Sequence, residues 1–180
     1  MKKFKTPNES RVSITELMLP SHSNFGGKVH GGHILNLMDQ IAFACASKHS
    51  QCYCVTASVN RVDFLHPVEV GELITLRASI NYTGRTSMVV GVRVDSENIT
   101  EGTKRHCNSS YLTMVAKDNS GKSVEIPGLI LENEQAVRRF ARSKQRKEEA
   151  FSRDTRFDAS KFKMEEHLKH LKNENIKIEL

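Results

Sequence analysis

The chain has 180 residues, 38% of them hydrophobic and 27% charged, and a formal net charge of +6. That length holds one domain with room for an appendage, and no window approaches the roughly 20 apolar residues that a bilayer span needs. The basic opening Met1-Lys2-Lys3-Phe4-Lys5 runs into polar sequence, so no signal peptide is expected and the chain reads as cytoplasmic and free of membrane.

Residues 9–20 alternate loosely through Val12, Ile14, Glu16 and Met18 and stop at Pro20, which predicts a first strand. Residues 21–32 read as a loop. Gly26, Gly27, Gly31 and Gly32 are four of the chain's ten glycines, packed into a short stretch where backbone must turn sharply or lie against something. A helix follows to about residue 49. Ile34, Leu35, Met38, Ile41, Ala42 and Cys45 recur at the spacing of one helical face, and Leu37, Phe43, Ala44 and Ala46 make the other side apolar too. A helix apolar nearly all round is expected to be buried.

Asp39, near the middle of that helix, is the anomaly. A buried carboxylate without partners costs several kcal/mol. From the helix alone, a structural Asp and a catalytic one are equally good readings. The glycine-rich loop favours the second, because amides at a helix N-terminus can hold an oxyanion. Asp39 would lie on the order of 10 Å along the axis from them.

Beyond the helix the signals are β. Tyr53, Val55, Ala57 and Val59 alternate with polar or small residues, and the run is read as continuing through Val62 and Phe64 to Pro67. A turn at Val70-Gly71-Glu72 precedes the alternation Ile74, Leu76, Ala78, Ile80, Tyr82. Thr83-Gly84-Arg85-Thr86 links this tightly to Met88, Val90, Val92, Val94. Residues 95–102 read as a loop, and Arg105 to Ala116 as a long final run. Consecutive strands with short links pair antiparallel. The prediction is an α+β domain with five or six antiparallel strands wrapped around one long helix. Such a sheet leaves its edges and much of the helix uncovered, and pairing two copies edge to edge is the remedy the pattern predicts.

Cys45, Cys52, Cys54 and Cys107 form neither a disulfide framework nor a Cys-x-x-Cys motif and read as free thiols. His22, His30 and His33 cluster near Asp39 but lack metal-ligand spacing, so no metal site is expected. The domain is read as residues 1–131. Residues 132–180 are read as a charged, helical extension with 13 Lys/Arg and 10 Asp/Glu, six of the basic residues falling within 138–147. Aromatic interleaving is sparse there, so nucleic acid is not expected as a partner.

The order of elements and the motifs Asn24-x-x-Gly27, His30-Gly31-Gly32, Asp39, Asp63-Phe64-Leu65-His66-Pro67-Val68 and Thr83-Gly84-Arg85-Thr86-Ser87-Met88 resemble the hotdog-fold acyl-CoA thioesterases. Within them, the acyl-CoA hydrolase branch is the nearest. The resemblance covers about residues 9–130. It implies that Asp39 is the catalytic carboxylate, acting as base or as nucleophile. It implies that Asn24 comes from the partner of a homodimer with shared sites, and that Gly32, with Gly31, donates backbone N–H groups to the thioester oxygen. Gly84, Arg85, Thr86 and Ser87 would lie along CoA, with Arg61 and Arg93 as candidates for its phosphates. The assembly implied is a hexamer, a trimer of dimers.

The reaction expected is hydrolysis of fatty acyl-CoA to a free acid and CoA, with no separate cofactor. A thioester suits so small a site: its carbonyl is already electrophilic, and a thiolate of pKa about 8–9 leaves readily. His30 reads either as a proton carrier or as a donor that fixes the loop. The alternative function is a protein of the same fold that binds or senses acyl-CoA without turning it over. A dehydratase reading is weaker, since His33 and Asp39 fall on nearly opposite helix faces.

Overall fold

The computed structural model describes residues 3–154 together with 163, 164 and 176. The charged stretch expected beyond 154 therefore lies almost wholly outside the described residues. A short β1 (Phe4–Lys5), α1 (Pro7–Ser10) and β2 (Val12–Leu17) precede a 3-10 turn at Pro20–His22. The long α2 (Gly31–Ser50) leads to β3 (Tyr53–Val59), β4 (Leu73–Thr83), β5 (Ser87–Asn98) and β6 (Thr103–Lys117). Then come β7 (Gly128–Leu129) and α3 (Glu134–Asp154). The main sheet has the order β2-β4-β5-β6-β3 with every pair antiparallel. β1 and β7 form a separate parallel pair.

The strand registers follow the alternation. Ile74, Leu76, Ala78 and Ile80 of β4 and Val90, Val92 and Val94 of β5 turn inward with Leu112, Met114 and Ala116 of β6, and all are buried. Against this surface α2 buries Ile34, Leu37, Met38, Ile41, Ala42, Cys45 and Ala46. Three boundaries differ from the sequence reading. The strand expected over residues 9–20, β2, begins only at Val12, because a capping box at Thr6, whose N–H donates to Glu9 Oε1 at 2.7 Å, winds Pro7–Ser10 into a helical turn. β3 ends at Val59; beyond it the chain stays beside β6 through single backbone bonds, Asn60 N–H to Tyr111 O and Leu65 N–H to Cys107 O, both 2.9 Å. β5 runs to Asn98, so the expected loop shrinks to a four-residue turn.

The larger correction concerns α2. It is not buried all round: Leu35 and Phe43 are each 39% exposed, and Asp39 is exposed with them. One sheet covers one side of one helix, and the described residues hold nothing else to cover the other. The carboxylate that is buried belongs to Glu72, 3% exposed, which pairs with Arg105 and accepts the Glu69 N–H at 3.1 Å.

The C-terminal end of α2 is held by contacts from three other segments of the chain. Gln51 takes the left-handed conformation (φ 58°) that ends the helix. Lys5 Nζ donates to His49 O at 2.7 Å, and the buried His49 ring is held between Ser10 Oγ at 3.2 Å and Pro127 O at 3.1 Å. A carbonyl only accepts, so Nε2 carries the proton and Nδ1 accepts the Ser10 hydroxyl. All four cysteines are free. The chain forms two compact units, residues 1–143 and 144–180. In the second, Gln145 Nε2 donates to Glu149 Oε1 at 3.0 Å along the helix. No helix among the described residues is long and apolar enough to cross a membrane.

Candidate active site

Asp39 stands on the uncovered face of α2, opposite the edge strand β3. There the register of β3 against β6 shifts between Thr56 and Ser58, an irregularity that re-aims a side chain. Thr56 Oγ1 donates to Asp39 Oδ1 at 2.6 Å and lies 3.3 Å from Met114 Sδ. Among the described residues Asp39 has no cationic partner. It opens into a groove that Gln40, Phe43, Tyr53 and Val55 also line. Phe43 and Tyr53 meet edge to face with ring centroids 5.7 Å apart. The groove thus combines apolar walls with one carboxylate steadied by a hydroxyl. Sequence reasoning missed Thr56: it sits in a polar phase of a strand, and no spacing ties it to a helix 17 residues earlier.

At the helix N-terminus the glycines do two different things. His30 is the N-cap, and its Nδ1 accepts the Gly32 N–H at 2.9 Å. His30 therefore fixes the loop as an acceptor, not as the donor expected, and it occupies the amide assigned to the thioester oxygen. Among the described residues the Gly31 N–H has no partner, so the amide open to a ligand is the preceding one. A Cβ on Gly31 would lie 3.2 Å from the half-exposed Phe64 ring, a tight contact to which the ring would have to yield. Asn24 builds the loop itself. Its Oδ1 accepts from Gly26 N–H at 2.9 Å and Lys28 N–H at 3.2 Å, and it does not line the Asp39 groove of its own chain.

The turn Gly84–Ser87 lies at the Asp39 end of the sheet. Ser87 pairs with Val115, and Val115 with Val55. Two strand spacings, about 10 Å, separate the turn from β3. Its backbone is pinned from outside: Arg85 O accepts from Ile126 N–H and Thr86 O from Ala116 N–H, at 3.0 and 3.1 Å. The Arg85 side chain is exposed.

The two other arginines are not gathered at this end. Arg93 is six positions further along β5, roughly 20 Å away, and its Nε and Nη2 engage Asp95 at 2.8–2.9 Å. Burial pushes the Asp95 carboxyl up, but hydrogen bonds from Arg93 and His106 and the charges of Arg93 and Arg77 outweigh it and hold the group below its ordinary range. Arg61 pairs with Asp63 at 2.8 Å on the surface.

Residues 26–103 match the family model of the thioesterase superfamily. Protein VdlD of Helicobacter pylori is 40% identical over 79% of this chain and 82% of its own length. An uncharacterized acyl-CoA thioester hydrolase, YkhA of Bacillus subtilis, is 33% identical over 72% of this chain and 75% of its own. The crystal structure of an apo-hexameric acyl-CoA thioesterase superposes with a TM-score of 0.83 at 37% identity, covering 86% of this chain and 99% of that one. An acyl-CoA hydrolase from Staphylococcus aureus, solved with butyryl coenzyme A, coenzyme A and coenzyme A disulfide, gives a TM-score of 0.79 at 28% identity over 93% of this chain and 98% of its own. That enzyme has also been solved with single Ala replacements of an Asp, a Thr and an Asn.

Proposed function

The chain belongs to the thioesterase superfamily and is an acyl-CoA hydrolase of the hotdog fold, and from that premise we propose that it hydrolyses fatty acyl-CoA at Asp39. One observation carries the assignment: Asp39 faces an open, apolar-walled groove with no cation to neutralise it and with Thr56 Oγ1 holding one of its oxygens at 2.6 Å. The Thr56 bond leaves Oδ2 to take a proton from water, or to attack the carbonyl itself.

The Asn and Asp replaced in the S. aureus enzyme are 15 positions apart and its Asp and Thr 17. Asn24 and Asp39, and Asp39 and Thr56, have the same separations. This supports Asn24, Asp39 and Thr56 as one functional set. Since Asn24 lies outside the groove of its own chain, the set is completed by the partner subunit's Asn24. The substrate oxygen docks on the Gly31 N–H and competes with His30 for that of Gly32. Positive partial charge at a helix N-terminus stabilises the oxyanion that forms. The thiolate leaves as CoA, which lies along Gly84–Ser87, and no cofactor takes part. A homodimer within a hexameric trimer of dimers suits the uncovered helix face, and four free cysteines suit the cytoplasm.

The test is thiol release from acyl-CoAs of graded chain length. Asp39→Asn keeps the side chain's size and its contact with Thr56 but removes the base and nucleophile. The expected loss in kcat is about 10²–10⁴-fold with the melting temperature unchanged. Full turnover by Asp39→Asn ends the assignment.

A further inference from the structure

Glu16 at the end of β2, His22 in the 3-10 turn and His33 in the first turn of α2 converge outside the groove. One ligand atom from each lies within 4.8 Å of the others. Glu16 Oε1 is 3.0 Å from His33 Nε2 and 3.9 Å from His22 Nδ1. The side chains are half-buried, 34%, 19% and 22% exposed for Glu16, His22 and His33. The two rings stack with centroids 3.9 Å apart and planes 21° apart, presenting their edges side by side to one carboxylate.

The backbone beneath them is fixed. His30 N–H donates to His22 O at 2.8 Å, His22 N–H to Leu19 O at 2.9 Å, and Met18 N–H to Glu72 O at 2.9 Å. Ser23 bridges Val29 across the base of the loop. Two imidazoles and a carboxylate on a rigid frame are a donor set that suits borderline metals such as Zn²⁺. Sequence spacing hides it, because Glu16 comes from a strand and the two histidines lie on opposite sides of the glycine-rich loop.

We propose that Glu16, His22 and His33 bind one Zn²⁺ per chain and that the ion staples β2 to the start of α2, across the base of the loop that carries Asn24. The fourth position is left to water. The Glu16 carboxylate supplies the negative charge that a cation at the positive end of a helix requires. Binding fans the two rings apart about χ2, a soft torsion, and displaces the weak bond from Leu19 N–H to His22 Nδ1, now 3.3 Å. The site is independent of the thioesterase assignment, since none of the three residues lines the Asp39 groove.

The experiment is calorimetric titration of the chelator-stripped, full-length protein with ZnCl₂, repeated with Glu16→Gln, His22→Gln and His33→Gln. Co²⁺ is titrated in parallel to identify the donor atoms. The expected result is one ion per chain and a rise in melting temperature with Zn²⁺. Affinity falls by at least about tenfold in each variant, on the scale seen when the support of a metal site is removed. The bound Co²⁺ should show nitrogen and oxygen ligation without a thiolate charge-transfer band. Melting of the metal-free variants at the wild-type temperature shows that they fold, and Glu16→Gln can still accept a hydrogen bond from His33. Absence of saturable binding, binding undiminished in the His22→Gln/His33→Gln double variant, or a thiolate band that places the ion on cysteine would each overturn the proposal.

Discussion

The two ends of α2 are built to opposite standards. At its C-terminal end most polar groups are answered inside the chain, Ser47 Oγ excepted: Lys5 on the last carbonyls, Ser10 and Pro127 on the His49 ring, Ser50 Oγ on Ala46 O at 3.0 Å. At its N-terminal end and along its outward face, among the described residues, one amide is unpartnered, a carboxylate has a hydroxyl but no cation, and Leu35 and Phe43 are exposed. Satisfied groups hold a structure together; unsatisfied ones are where a ligand or a second copy can bind. The closed end therefore serves stability and the open end serves chemistry. Substitutions should separate the two.

The largest separation is expected from complementation at the open end. Asn24→Ala and Asp39→Ala should each lose most activity. After subunit exchange by mild unfolding and refolding, an equal mixture should regain about a quarter of wild-type turnover, since half the dimers are mixed and each mixed dimer keeps one intact site. A mixture no more active than the two variants apart would mean that each chain completes its own site.

The converse is expected at the closed end. His49→Ala empties a buried position and strands Ser10 Oγ and Pro127 O, for a loss of about 2–4 kcal/mol, read as a lower urea midpoint with kcat per folded enzyme kept. Burial lowers the His49 pKa from its ordinary 6.5, helped by the Lys5 charge and opposed by the Pro127 bond and Glu9. The folded state then binds fewer protons than the unfolded one. His49 thus contributes stability that is complete above pH 6.5 and lost as pH falls toward its folded value. Wild-type stability should drop across that window, and His49→Gln should flatten the drop. A smaller effect is expected back at the open end. Thr56→Ala frees the Asp39 carboxylate to rotate and should cost about tenfold in kcat, the worth of one charged hydrogen bond. Thr56→Ser should restore it.

Much of this architecture is legible in the sequence because two periodicities dominate it. The alternation of Ile74 to Ile80 and the helical recurrence of Ile34, Met38, Ile41 and Cys45 each fix an element and its inward face. What alternation cannot fix is where covering stops. Leu35 and Phe43 look like core in a helix read alone, and only the width of one sheet leaves them outside. Asp39 stands out because its neighbours are apolar, although it is Glu72, read only as part of a turn, that is buried and needs Arg105. Arg93 looks like a phosphate ligand until the strand register sets it beside Asp95. Thr56 and the Glu16, His22, His33 group are invisible for the same reason: their partners meet through tertiary packing, with no spacing to mark it.

The smallest effect tests how tightly the closed end is coupled. Lys5 donates to His49 O at 2.7 Å and Lys48 O at 3.4 Å, and its charge also helps to depress the His49 pKa. Lys5→Met removes both contributions. At neutral pH the ring is uncharged and only the helix cap is lost, so the cost is about 1 kcal/mol, after the entropy of ordering a lysine is offset. At about pH 5 protonation of His49 weighs on stability, and removing the neighbouring cation eases it, so the variant should lose less there than at neutral pH. Urea unfolding of wild type and Lys5→Met at the two pH values reads the difference directly. An equal loss at both would mean that Lys5 acts through its two hydrogen bonds alone, and that the cap and the buried ring are separate devices sharing one end of the helix.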